Sequence, residues 1–233
     1  MRSMLVDKLK IGLRRWRGLP VHPFTHFPLG LKVGTFLDVG ANKGDYSWAY
    51  FTSFPDGRAW LIEPIDNLHQ SIHNRLRQYP GQYELYDACL GNSNDTIELN
   101  VTNHIGASSI LPMHSRFQRV NPDVKQVEVL RKTLIKLDKF AEAKSLPDID
   151  LMKVDVEGFE SEVIAGGENF IKRRVAWILI EHSFVRSDDS QERFIDVHSR
   201  LYRAGFDFYA ICDQYHDVKT REIVQFDAIY RKR

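Results

Sequence analysis

Cysteine is scarce in this chain: Cys89 and Cys212 are the only two among 233 residues, far apart and in no metal-ligand spacing. That argues against a disulfide scaffold and a structural zinc site, and a reducing, cytoplasmic setting is the expectation. Long apolar runs are lacking too. No stretch approaches the roughly 20 residues that span a bilayer, and the N-terminus has no apolar core of the signal-peptide kind. Neither sign of charge is in excess, with 32 Lys and Arg against 31 Asp and Glu. No global field therefore recruits nucleic acid or an acidic polymer, and partners must be recognised locally. Internal repeats and low-complexity segments are absent.

Apolar material is plentiful. Hydrophobic residues make up 43% of the chain, enough for one large core and hence for one compact domain. Ahead of it, residues 1–34 form a lead of a different kind. MRSMLVDKLKIGLRRWRGL carries Arg2, Lys8, Lys10, Arg14, Arg15 and Arg17 against a lone Asp7, and Leu5, Leu9, Leu13 and Trp16 share one helical face. Two readings stay open: a basic helix that touches an anionic membrane surface or a carrier partner, and a cap packed on the domain. PVHPFTHFPLGLKVG then serves as a connector, since its prolines and glycines break regular elements.

The domain proper runs from 35 to 233. Short apolar runs alternate with segments of helical period in the order TFLDVG, YSWAYFTSF, RAWLIEP, DNLHQSIHNRLRQY and YELYDACLG. That alternation predicts a doubly wound α/β fold. Residues 94–132 interrupt it: DTIELNVT and KQVEVLRKTLI alternate like exposed antiparallel strands, so they read as an inserted β element. The rhythm resumes with LDKFAEA, IDLMKVDV, a helix from Phe159, VAWILIEH, a helix over 190–203, FDFYAICD and IVQFDAIYRK. Setting the insert aside, the reading is a mostly parallel, Rossmann-like seven-stranded sheet whose last strand is antiparallel.

In such a sheet a ligand sits beyond the C-terminal strand ends, where a glycine turn lets backbone approach it. DVGANKGDYS stands there, with Gly40 and Gly44 flanking Asn42 and without the middle glycine of G-x-G-x-x-G. Asp38 at its mouth would repel a pyrophosphate and attract the cationic groups of S-adenosylmethionine. Glu63 closes the next strand before Pro64, where a carboxylate can accept ribose hydroxyls. Asp87 and Ala88 close the third and are candidate adenine contacts.

A second polar group belongs to the chemistry. Lys153 and Asp155 alternate along a buried strand, with Glu157, Gly158 and Glu160 following, and Glu181 and His182 close the run AWILI. His182 is a candidate base because its ordinary pKa is near working pH. Asp155 and Glu181 could instead share a divalent cation that binds acceptor oxygens. His104, in the inserted element, is a further candidate.

FLDVGANKGDYS, LIEP, DACLGNSNDTIEL, GASSIL and above all LMKVDVEGFESEVIAGG together resemble the FkbM family of methyltransferases over roughly residues 35–182. The resemblance implies a class I methyltransferase fold, S-adenosylmethionine as donor, and O-methylation of hydroxyls on sugars, glycolipids, polyketides or related metabolites. It places Asp38, Gly40, Asn42 and Gly44 in the cofactor loop, Glu63 at the ribose, and Asp155, Glu157 and Gly158 in the KxDVEG segment. The alternatives are an NAD(P)-dependent oxidoreductase, which Glu63 permits and the GANKG turn argues against, and a catalytically silent adenosyl-binding scaffold.

Overall fold

The computed structural model describes residues 23–28 and 30–233. The basic N-terminal helix read from the sequence lies outside them. Within them the chain runs β1 (Thr35–Val39), α1 (Asp45–Ser53), β2 (Arg58–Ile62), α2 (Asp66–Arg75), β3 (Tyr83–Tyr86), β4 (Cys89–Gly91), β5 (Asp95–Thr102), α3 (Ser115–Val120) and β6 (Gln126–Lys136). It continues through α4 (Leu137–Ala143), β7 (Ile149–Val154), α5 (Glu160–Gly166), α6 (Glu168–Arg174), β8 (Val175–Ser183), α7 (Ser190–Arg203), β9 (Phe206–His216) and β10 (Ile223–Lys232).

Seven of these strands form one sheet in the order β3-β2-β1-β7-β8-β10-β9. β10 runs antiparallel to both its neighbours, and the pairs among β3, β2, β1, β7 and β8 are parallel. The central strands read as near-continuous apolar runs because helices cover both faces. Alternate residues feed two separate cores. Leu37, Val39, Met152 and Val154 pack against α4 to α7 on one side. Phe36, Leu61, Leu151 and Leu179 pack against α1 and α2 on the other, with Phe27 of the connector set against Trp177 at 5.6 Å.

The expected third strand YELYDACLG does not stay in one sheet. β3 ends at Tyr86, and β4 joins a separate three-stranded sheet in the order β4-β6-β5. β5 and β6 pair antiparallel, Leu99 opposite Leu130. The small sheet thus spans Cys89 to Lys136, wider at both ends than the 94–132 read from alternation. Leu99 and Val101 pack on Ile65 and Leu68, which seats this sheet beside the ends of β1 and β2. A turn of 3-10 helix, Ile105–Ala107, continues from β5 over the same edge. Among the described residues no helix is long and apolar enough to cross a membrane.

Candidate active site

The strand order reverses between β1 and β7, since β1 continues to β2 on one side while the chain reaches β7 only after the inserted sheet. Loops leaving two such strands diverge to opposite faces and open a crevice. Here the two loops meet closely. A Cβ on Gly40 would lie 1.9 Å from the Asp155 carbonyl oxygen, and Gly40 has the left-handed φ of 83° that side chains disfavour.

The crevice holds a cavity of about 210 Å³ lined by Gly40, Asn42, Glu63, Ala88, Lys153 and Asp155, among others. Ile65, Leu68, Leu99, Ile105 and Ile110 supply apolar walls, the last three from the inserted element. Glu63 is buried and rigid: its two oxygens accept from the backbone amides of Asn42 at 2.7 Å and Ile65 at 2.9 Å. Burial nevertheless outweighs those bonds and pushes the carboxyl up to about 7.

Lys153 is a buried part of the cavity lining, 3.5 Å from Asp38 and 3.2 Å from Asp155, and donates to the Gly40 carbonyl at 3.1 Å. Burial alone would lower its pKa, but the charges of Asp155 and Asp38 prevail and hold the ammonium above its ordinary value. It is a fixed cation that ties the two loops together, not a base.

Three expectations need correction. Asp38 does not line the cavity. Its side chain is fully buried on the α1 face of the sheet, accepts from Ser47 Oγ at 2.6 Å, and is compensated by Lys153, so it braces the loop instead of meeting a ligand's charge. Gly44 is likewise outside the lining, with φ 78° at the start of α1. Asp87 follows the last residue of β3, turns outward and pairs with Lys132 at 3.0 Å, which leaves Ala88, Cys89 and Leu90 on the cavity wall.

His182 is also displaced from its expected role. β8 runs on past it to Ser183, and the ring sits inside the sheet, within about 5.1 Å of the rings of Phe194 and Phe226. Burial, aided by His198, lowers its pKa to about 3. It lines neither this cavity nor the neighbouring cleft. His104 is exposed and outside both.

An open cleft of about 590 Å³ adjoins the cavity and shares Tyr46 and Asp155 with it. Its walls carry Glu181, Asp213, Asp227, Gln225 and Tyr215, and no Lys, Arg or His among the described residues. Sequence reasoning missed Tyr46 and Asp227. The Tyr46 hydroxyl donates to Asp227 Oδ2 at 3.0 Å, and burial with the charges of Asp227 and Asp155 keeps that phenol protonated. Burial, then the charge of Asp155, pushes the Asp227 carboxyl up to about 7. Asp227 stands opposite Glu181 on β8 and Asp213 on β9. An acid flanked by the core residues Phe226 and Ala228 was the available signal.

Glu160 braces the same region, accepting from the amides of Val156 and Gly158 at 2.9 and 3.0 Å. Glu157 pairs with the buried Arg186. Carboxylate oxygens of Asp155, Glu157 and Glu181 all lie within 4.8 Å of one another, a grouping that could hold a metal ion.

Comparison with known proteins agrees with this architecture. A solved structure described as methyltransferase FkbM from Methylobacillus flagellatus superposes with a TM-score of 0.55 at 15% identity, over 90% of this chain and 47% of that one. A protein in the NADB-Rossmann superfamily from Streptococcus agalactiae gives a TM-score of 0.50 at 12% identity, over 92% and 68%. In sequence, the AMB antimetabolite synthetase AmbE of Pseudomonas aeruginosa is 23% identical over 198 residues, 73% of this chain but 9% of that protein. This chain therefore spans under half of the FkbM structure and a small part of AmbE. The model of the methyltransferase FkbM domain matches residues 38–208, and the chain belongs to the FkbM methyltransferase family.

Proposed function

We propose that this chain transfers the methyl group of S-adenosylmethionine to a hydroxyl of a sugar, glycolipid, polyketide or related metabolite. The observation that carries the reading is the junction of a cavity walled largely by apolar side chains with an acid-lined cleft across two shared residues, Tyr46 and Asp155. The cavity lining suits such a donor by its chemistry: Glu63 would accept the ribose hydroxyls, the wall from Ala88 to Leu90 with Ile65 and Leu68 would cover the adenine, and Asp155 and Asn42 would hold the amino-acid end. S-adenosylmethionine supplies a methyl group on a sulfonium, and the sulfur leaves as a neutral thioether, so positioning provides much of the rate.

The acceptor hydroxyl must lose a proton as its oxygen bonds to the methyl carbon. Asp227 suits that task, because a carboxylate raised to about 7 is matched to neutral pH and Tyr46 orients it. A divalent cation held by Asp155 and Glu181 is the alternative means of activating the hydroxyl.

Thermal unfolding tests the donor. S-adenosylhomocysteine at about 100 times its dissociation constant stabilises by about 2.7 kcal/mol, a midpoint rise of roughly 5–10 °C. A rise with NAD and none with S-adenosylhomocysteine would overturn the reading. Methyl-labelled donor then identifies the acceptor pool, and Asp227→Asn should lower label transfer at least about a hundredfold while leaving S-adenosylhomocysteine binding intact.

A further inference from the structure

We infer that Asp155, Glu157 and Glu181 form a site for one hard divalent cation, magnesium or manganese by ligand chemistry, where the donor cavity meets the acceptor cleft. Its role in transfer rests on the methyl-transfer reading above; its binding does not.

Parallel strands bring the ligands together. Asp155 and Glu157 lie on the loop leaving β7, and Glu181 is near the end of the adjacent β8. One oxygen from each falls within 4.8 Å of the others. Carboxylates so close repel one another unless positive charge is shared among them. Among the described residues the cations that reach the group are Lys153, shared between Asp38 and Asp155, and Arg186, on Glu157, which leaves Glu181 without one.

Glu181 is the independent sign of a missing ligand. It is 6% exposed, and among the described residues no ion pair reaches it. One of its oxygens accepts from Gln225 Nε2 at 2.7 Å, while the other, Oε2, is buried with no hydrogen-bond partner. Such an atom is costly to leave unsatisfied. A cation seated among the three carboxylates supplies its partner and relieves their repulsion together.

The donor set decides the ion class. Three carboxylates, with no imidazole or thiolate, favour a hard ion that takes oxygen ligands and keeps some water. Six-coordinate geometry leaves about three positions after the protein ligands, and Asp155 and Glu181 face the cleft. An acceptor with two neighbouring oxygens, such as a vicinal diol, can fill two of these, and the bound hydroxyl loses its proton more readily.

Manganese titration followed by electron paramagnetic resonance tests the site on the full chain, with S-adenosylhomocysteine binding measured on the same sample by calorimetry. The expected result is one manganese per chain, held with a dissociation constant on the order of 1 mM or tighter and displaced by magnesium. Glu181→Gln should weaken manganese at least about tenfold and leave S-adenosylhomocysteine affinity unchanged. Wild-type chain that holds no manganese overturns the inference, and so does a folded Glu181→Gln variant that binds it as wild type does. If manganese is absent but S-adenosylhomocysteine binds, the cation site alone fails; if manganese binds and S-adenosylhomocysteine does not, the donor reading alone fails.

Discussion

Gly40 and Asp155 touch backbone to backbone, so closely that any Cβ at position 40 would overlap the Asp155 carbonyl. The loop leaving β1 and the loop leaving β7 are therefore held in direct contact where the cavity meets the cleft. Gly40→Ala must separate the loops and adopt a left-handed φ, which costs roughly 1–3 kcal/mol from strain alone. Denaturant melts should report that loss, and calorimetry should find S-adenosylhomocysteine affinity down at least about tenfold. Unchanged affinity would show that the contact does not set the cavity.

Lys153 is predicted to be structural as well as positional. It is buried between Asp38 and Asp155, and among the described residues Asp38 has no other cation against it. Lys153→Met leaves a buried carboxylate uncompensated, and removal of one partner of a buried pair costs about 3–5 kcal/mol. Adding Asp38→Asn should restore part of that stability, since the unpaired charge goes with it. Additive losses in the double variant, read from urea midpoints, would contradict the pairing.

Glu63 makes stability depend on pH in a defined direction. Its carboxyl is raised from 4.5 to about 7 on folding, so between those values the folded chain holds a proton that the unfolded chain has released. The contribution of this residue is greatest below pH 4.5 and declines as pH rises toward 7, where the buried group must ionise. Glu63→Gln removes this term, so the wild-type midpoint minus the variant midpoint should fall across that window. A flat difference from pH 4.5 to 7 would remove Glu63 from the titration. Loss of a charged acceptor should also weaken S-adenosylhomocysteine by roughly tenfold to a hundredfold at pH 8.

Much of this site is legible locally. Gly40, Asn42 and Glu63 stand where an apolar run stops, and a polar residue there marks the point at which a strand leaves the core. The same signal misleads at two places. His182 ends the run AWILI, yet β8 continues because β10 pairs with it, His182 opposite Phe226, so the ring is enclosed. Asp87 closes YELY, but the chain leaves the main sheet there to join β6 and the side chain turns toward Lys132. Neither outcome is a property of the residues nearby.

Periodicity and turn chemistry by themselves determined the layered α/β plan, the glycine turn after β1 and the inserted strands, because each depends on neighbours within a few residues. Only the tertiary structure decided which acids face one another. β10 enters between β8 and β9, which sets Asp227 opposite Glu181 and beside Tyr46 from the first helix. The same packing lays the β1 loop on the β7 loop and spends Asp38 on Lys153. Strand order is the sum of many weak long-range pairings, and no local pattern encodes it.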